Sequence, residues 1–163
     1  DIVITYARCP RLTGYVAKHS MKKVPLLSVW MERLYCLFLN RTDIKAGLKT
    51  ILTGIEQIKN GISMCIFPEG TRNKGADETK LLPFKEGSFK MAEKTGCPII
   101  LMSMNNTSAI LEDHFPFIRS THVVLEYSKP IYPKKLSKEE RKFLGSYCEK
   151  QLTEMVTRNQ KLL

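Results

Sequence analysis

No uninterrupted apolar run in this 163-residue chain approaches the ~20 residues that carry a helix across a bilayer. The most hydrophobic stretch, Val24 to Leu39, is broken by Glu32 and Arg33. The chain also lacks an initiator methionine and a basic-then-apolar leader, and it opens on Asp1 inside sequence that already reads as structured. The expectation is a fragment whose natural N-terminus lies upstream. Closely spaced cysteines are missing too. The five cysteines, at 9, 36, 65, 97 and 148, are odd in number, form no CxxC pair and sit among apolar neighbours. That argues against a disulfide framework or a zinc site and leaves reduced thiols in a cytoplasmic protein. No repeat, low-complexity tract or linker interrupts residues 1–163, so one domain is expected. With 43% hydrophobic and 26% charged residues, disorder is excluded.

Acidic residues are scarce as well. Sixteen of them face 26 lysines and arginines, giving a net charge of +10. The imbalance is steepest in residues 1–60, where ten basic residues meet four acids. Such a surface suits a phosphorylated substrate, a nucleic acid or an anionic membrane. A nucleic-acid module would add basic residues interleaved with exposed aromatics, or a known fold signature. Tyr6, Tyr15 and Tyr35 lie in the basic third, but no RNP, helix-turn-helix or zinc-finger pattern accompanies them. The reading is therefore no nucleic acid.

Strand and helix signals alternate. Residues 1–7 fit either state, Gly14 to Lys18 reads as a strand, Leu26 to Leu34 as a helix and Leu37 to Leu39 as a buried strand. Ile44, Leu48, Ile51, Ile55 and Ile58 recur at the spacing of an amphipathic helix, with Asp43 at its start and Asn60-Gly61 at its end. Strands follow at Ser63 to Phe67, Pro98 to Met104 and Thr121 to Tyr127, with a short helix at Gly87 to Lys94. Ser137 and Glu140 fit a capping box, and Phe143, Tyr147, Leu152 and Met155 line one side of a terminal helix. The alternation predicts an α/β domain with a largely parallel central sheet flanked by helices.

The chemistry concentrates in Phe67-Pro68-Glu69-Gly70-Thr71-Arg72, directly after a predicted strand, where α/β sheets bind ligands. Pro68 ends the ladder, Gly70 permits a turn or close backbone approach, and Thr71 offers a hydroxyl. Arg72 presents a planar fork suited to a phosphate dianion. Glu69 can accept a substrate hydroxyl or hold the guanidinium. The same residues could equally form a plain turn with a surface Glu–Arg pair.

FPEGTR, followed by Pro83-Phe84-Lys85-Glu86-Gly87, resembles the glycerolipid acyltransferase family, whose best-known members act on lysophosphatidic acid. Three weaker blocks agree in order: Lys18 with Val24-Pro25, Phe38-Leu39-Asn40-Arg41, and Cys97-Pro98-Ile99-Ile100. The likeness covers roughly residues 1–127. Tyr35 stands where the second block usually has glycine, and Asn40 where it usually has aspartate.

The resemblance implies transfer of a fatty acyl group from a thioester donor (acyl-coenzyme A or acyl carrier protein) to a lysophospholipid hydroxyl, giving phosphatidic acid. Another lysophospholipid or glycerol phosphate is the alternative acceptor. It implies no metal and no resident cofactor. Glu69 and Asp1 are the implied catalytic residues, with Asp1 orienting a histidine that the family places five positions upstream of residue 1. Lys18, Arg41, Phe67, Pro68, Gly70, Thr71 and Arg72 are the implied acceptor-binding set. Without that histidine the polypeptide is expected to bind acceptor but turn it over poorly. His19, His114 and His122 read as structural or solvated, and His114 beside Asp113 forms no dyad by adjacency. The lipid substrate implies a peripheral membrane contact at the cytoplasmic face, for which Arg8, Arg11, Lys22 and Lys23 around Pro25 to Trp30 form a basic and apolar surface.

Overall fold

The computed structural model describes residues 2–73, 75, 77 and 79–163. The chain divides into two compact units, one of residues 2–68 with 87–97, the other of residues 69–86 with 98–163.

The first unit contains α1 (Ile2–Arg8), β1 (Thr13–Lys18), α2 (Leu27–Arg33), β2 (Leu37–Leu39), α3 (Ile44–Lys59), β3 (Ser63–Cys65) and α4 (Lys90–Thr95). Its sheet runs β2-β1-β3 and is parallel throughout, with Lys18 opposite Leu39 and Tyr15 opposite Cys65. This is the α/β arrangement that the alternation predicts. Asp43 caps α3 by accepting the Ala46 N–H at 3.0 Å. Gly96 ends α4 at φ 72°, the left-handed conformation that glycine adopts without steric cost. The isoleucine stripe of α3 turns inward only in part: Ile51, Ile55 and Ile58 are half-buried, while Ile44 and Leu48 are exposed.

At the core, the Tyr15 hydroxyl shares a 3.0 Å hydrogen bond with Thr5, and burial raises the phenol above its ordinary value. Burial also pushes the Cys65 thiol up to about 12, with Cys9 and Cys36 adding to the effect. Thiols held neutral in this way are poor nucleophiles.

One backbone approach fixes how the strands meet. A Cβ on Gly14 in β1 would run into the carbonyl of Tyr35, and Tyr35 itself adopts φ 60°. That left-handed conformation explains why a glycine suits this position in the resembling family, and an L-residue there costs roughly 1–2 kcal/mol. Glycine's larger unfolded entropy offsets part of the relief. Tyr35→Gly is therefore expected to raise the unfolding free energy by about 1 kcal/mol, read as a higher urea midpoint. A lower midpoint would show that the Tyr35 ring stabilises the fold by more than its backbone strains it.

The second unit contains β4 (Met102–Asn105), β5 (Val124–Tyr127), α5 (Lys138–Lys142) and α6 (Leu144–Asn159). β4 and β5 pair with each other, antiparallel, from Met102 opposite Tyr127 to Asn105 opposite Val124. The strand expected from Pro98 starts late. Ile99 makes only an isolated bridge to Ile131, and the Leu101 N–H goes to the Ser128 hydroxyl at 2.9 Å instead of a ladder carbonyl. β3 likewise stops at Cys65, before Phe67.

The Ser137–Glu140 capping box forms as expected, with both reciprocal bonds present. In α6, however, the buried face carries Leu144, Cys148, Met155 and Asn159, while Phe143 is exposed at the N-cap. Polar pairing sets this phase. Asn159 donates to Ser103 Oγ at 2.9 Å and to the Glu126 carboxylate at 2.8 Å, and Arg158 also binds Glu126. These two donors hold the Glu126 carboxyl below its ordinary range, Arg158 contributing most.

Candidate functional site

Three chain segments leave the parallel sheet at one edge. Lys18 closes β1, opposite Leu39, the last residue of β2, and Arg41 follows Leu39 by two positions. β3 is parallel to both, so Ile66 and Phe67 emerge beyond the same carboxyl ends, the side where open α/β sheets place ligands. The chain then turns at Pro68 and Glu69, and Gly70 takes φ 71°. Pro68 has no N–H to continue a ladder. Proline second and glycine fourth in Phe67 to Gly70 is the residue pattern of a type I turn. The tight bend stands where the sequence suggests, whereas the strand ends at Cys65, ahead of the motif.

In the second unit, Glu69 takes a role that the sequence does not announce. Its Oε2 accepts the Leu82 N–H at 2.9 Å, which ties the turn to a residue thirteen positions later and closes the intervening loop. Among the described residues no ion pair joins Glu69 to Arg72. Two further carboxylates fix the segment after the loop. Glu149 accepts the Phe84 N–H at 2.8 Å. Glu86 accepts the Gly145 N–H at 3.1 Å, satisfying an amide in the first turn of α6. A Cβ on Gly145 would lie 2.5 Å from Glu86 Oε1, so glycine permits that bond. Burial, and secondarily the Glu86 charge, pushes the nearby Cys148 thiol up to about 12.

Between the two fixed positions stands Lys85. Its Nζ, Cδ and Cε lie 3.2–3.3 Å from the place a Cβ on Gly70 would occupy, so the lysine covers the FPEGTR turn. In the sequence Lys85 stands out only as part of the Pro83–Gly87 motif. The motif was the available signal, but adjacency across fifteen positions is visible only in the fold.

Lys18, Arg41, Arg72 and Lys85 are all exposed. The ion pairs among the described residues engage Lys22, Lys59, Lys80, Lys90 and Arg158 instead. None of these four motif cations is in an ion pair among the described residues. Phe67, Pro68 and Gly70 are half-buried, and Thr71 is exposed. Asp1 lies outside the described residues. The Asp113 carboxylate accepts the Ser108 hydroxyl at 3.0 Å, and no ion pair forms to a histidine among the described residues. Among those residues no cluster of His, Cys, Asp or Glu could hold a metal ion, and no helix is long and apolar enough to cross a membrane.

The first unit also presents an apolar rim. Leu26 is 86% exposed, and Val24, Val29 and Trp30 are exposed beside it. Leu26 has φ 62° and ψ −50°, and the Leu27 N–H reaches the Pro25 carbonyl at 2.6 Å. This is a γ-turn of the strained kind. Lys23 is exposed next to this rim, and Lys22 lies 3.8 Å from Glu32 in an exposed pair of little energetic weight.

A family profile described as Acyltransferase matches residues 1–105. A 1-acyl-sn-glycerol-3-phosphate acyltransferase from Borreliella burgdorferi is 33% identical over 150 residues, covering 92% of this chain and 58% of that protein. A Saccharomyces cerevisiae protein of the same name is 32% identical over 141 residues, covering 86% and 45%. The chain thus spans about half the length of these relatives. The crystal structure of the 1-acyl-sn-glycerophosphate (LPA) acyltransferase PlsC from Thermotoga maritima aligns with a TM-score of 0.72 at 27% identity, over 91% of this chain and 57% of that one.

Proposed function

The chain belongs to the acyltransferase family, and from that premise we propose that it transfers a fatty acyl group from a thioester donor to the free hydroxyl of lysophosphatidate, giving phosphatidate. One observation carries the acceptor assignment: the turn beyond β3 carries an exposed arginine that no carboxylate of the described residues neutralises. An unpaired guanidinium fork beside a glycine turn matches a phosphate monoester in charge and shape.

In this reading Arg72 is the main phosphate anchor, and Arg41 and Lys18 are further acceptor-binding cations only as the family resemblance implies them. Phe67 and Pro68 shape the turn, and Gly70 and Thr71 offer backbone and hydroxyl donors. Anchoring the phosphate holds the reacting hydroxyl near the thioester carbonyl, and positioning of this kind can supply roughly 7–11 kcal/mol of a barrier at most. The hydroxyl proton needs a base, and Asp1 is the residue assigned to orient an imidazole for that task. Glu69 contributes by closing the loop through Leu82.

The lipid acceptor also requires access to a bilayer. The exposed Val24, Leu26, Val29 and Trp30, with Arg8, Arg11, Lys22 and Lys23, form the proposed peripheral contact with the cytoplasmic face of a membrane. Each basic residue near an anionic surface contributes about 1 kcal/mol.

Flotation with anionic phospholipid vesicles, run beside oligonucleotide retention at near-physiological salt, tests the reading. The chain is expected to float, to bind lysophosphatidate more tightly than its phosphate-free monoacylglycerol analogue, and to release oligonucleotide. Retention of DNA with indifference to vesicles and to lysophosphatidate would replace this function with nucleic-acid binding.

A further inference from the structure

We propose that Lys85 is a second phosphate-binding cation of this site, acting with Arg72 at the Gly70 turn; the proposal rests on the phosphate reading above. Three observations carry it. First, the end of the Lys85 side chain lies directly over Gly70, occupying the space a larger residue would fill. Arg72 is two residues further on, so its Cα is within about 7 Å of the Gly70 Cα. Second, acidic groups are near in sequence yet committed elsewhere. Glu69 is bonded to the Leu82 amide and Glu86 to the Gly145 amide, and no ion pair engages Lys85 among the described residues. Third, the backbone carrying Lys85 is held on both sides, through Phe84 to Glu149 and through the Glu86 carboxylate. A binding group on a segment already fixed loses less freedom when ligand arrives.

These facts divide the labour between the two cations. Arg72 offers a planar fork that sets orientation, whereas Lys85 offers a compact point charge that needs no particular angle. A dianionic phosphate seated on the Gly70 turn would draw on both. The glycine then has two reasons to be there: its positive φ, and the room it leaves for the lysine stem.

Lys85→Met is the informative variant, because it keeps the apolar stem against Gly70 and removes only the ammonium. Calorimetric titration with a short-chain lysophosphatidate below its micelle concentration is expected to show about tenfold weaker binding than wild type. Lys85→Arg is expected to restore most of the affinity, both variants melting within about 2 °C of wild type. Wild-type affinity in Lys85→Met would overturn the proposal while leaving the Arg72 site intact. Weak binding that Lys85→Arg does not rescue, together with a lowered melting temperature, would also overturn it, since the lysine would then be a packing residue. Should the wild-type chain itself fail to prefer the phosphate-bearing ligand over monoacylglycerol, the phosphate reading and this inference fail together.

Discussion

Replacing Arg72 with alanine is expected to weaken lysophosphatidate binding by about two orders of magnitude and to leave the melting temperature nearly unchanged. The two halves of that result come from one feature. Arg72 is exposed and has no ion-pair partner among the described residues, so its removal breaks no intramolecular bond. Bound to a phosphate dianion, the same side chain makes charge-assisted hydrogen bonds worth about 1.5–3 kcal/mol, or roughly 10- to 150-fold in affinity. Arg72→Lys is expected to fall between the two, because a lysine keeps the charge and loses the bidentate fork. Titration with lysophosphatidate and with monoacylglycerol separates the phosphate contribution from that of the acyl chain. Only the former should respond. An Arg72→Ala chain with unaltered affinity would remove the arginine from the acceptor site.

The largest expected effect on stability belongs to Gly14→Ala. The added methyl would lie 2.3 Å from the Tyr35 carbonyl oxygen, and the parallel register from Val16–Leu37 to Lys18–Leu39 ties β1 to β2 just beyond that contact. Overpacking against backbone, rather than against a flexible side chain, places this change at the upper end of such penalties, about 3 kcal/mol. With a typical denaturant slope that lowers the urea midpoint by roughly 1–3 M. A midpoint equal to wild type would mean that Tyr35 yields more easily than its neighbours suggest.

Local signals proved legible where one side chain decides one backbone conformation. Asp43 marks the start of α3, and Ser137 with Glu140 the start of α5. The α/β class followed from alternation of elements. Antiparallel pairing of β4 with β5 did not, because periodicity states that a strand exists and says nothing of its partner. The phase of α6 was hidden for a related reason. Its buried face includes Asn159 and Gly145, which a search for apolar residues passes over, and Asn159 is held there by Ser103 and Glu126 from far along the chain.

The site divides in the same way. FPEGTR stands out as a motif with a turn in it, and the turn is where the sequence puts it. Its supports come from distant positions: Leu82 for Glu69, Glu149 for Phe84, and Lys85 for the space over Gly70. No spacing rule connects those residues. A backbone that folds them together does.

The most direct test of the phosphate cradle is to follow the backbone amide resonances of Gly70 and Thr71 while short-chain lysophosphatidate is added. Both should shift and saturate along a single binding curve, and monoacylglycerol should leave them in place. Saturable binding that moves neither amide would put the headgroup elsewhere on the protein and contradict the account.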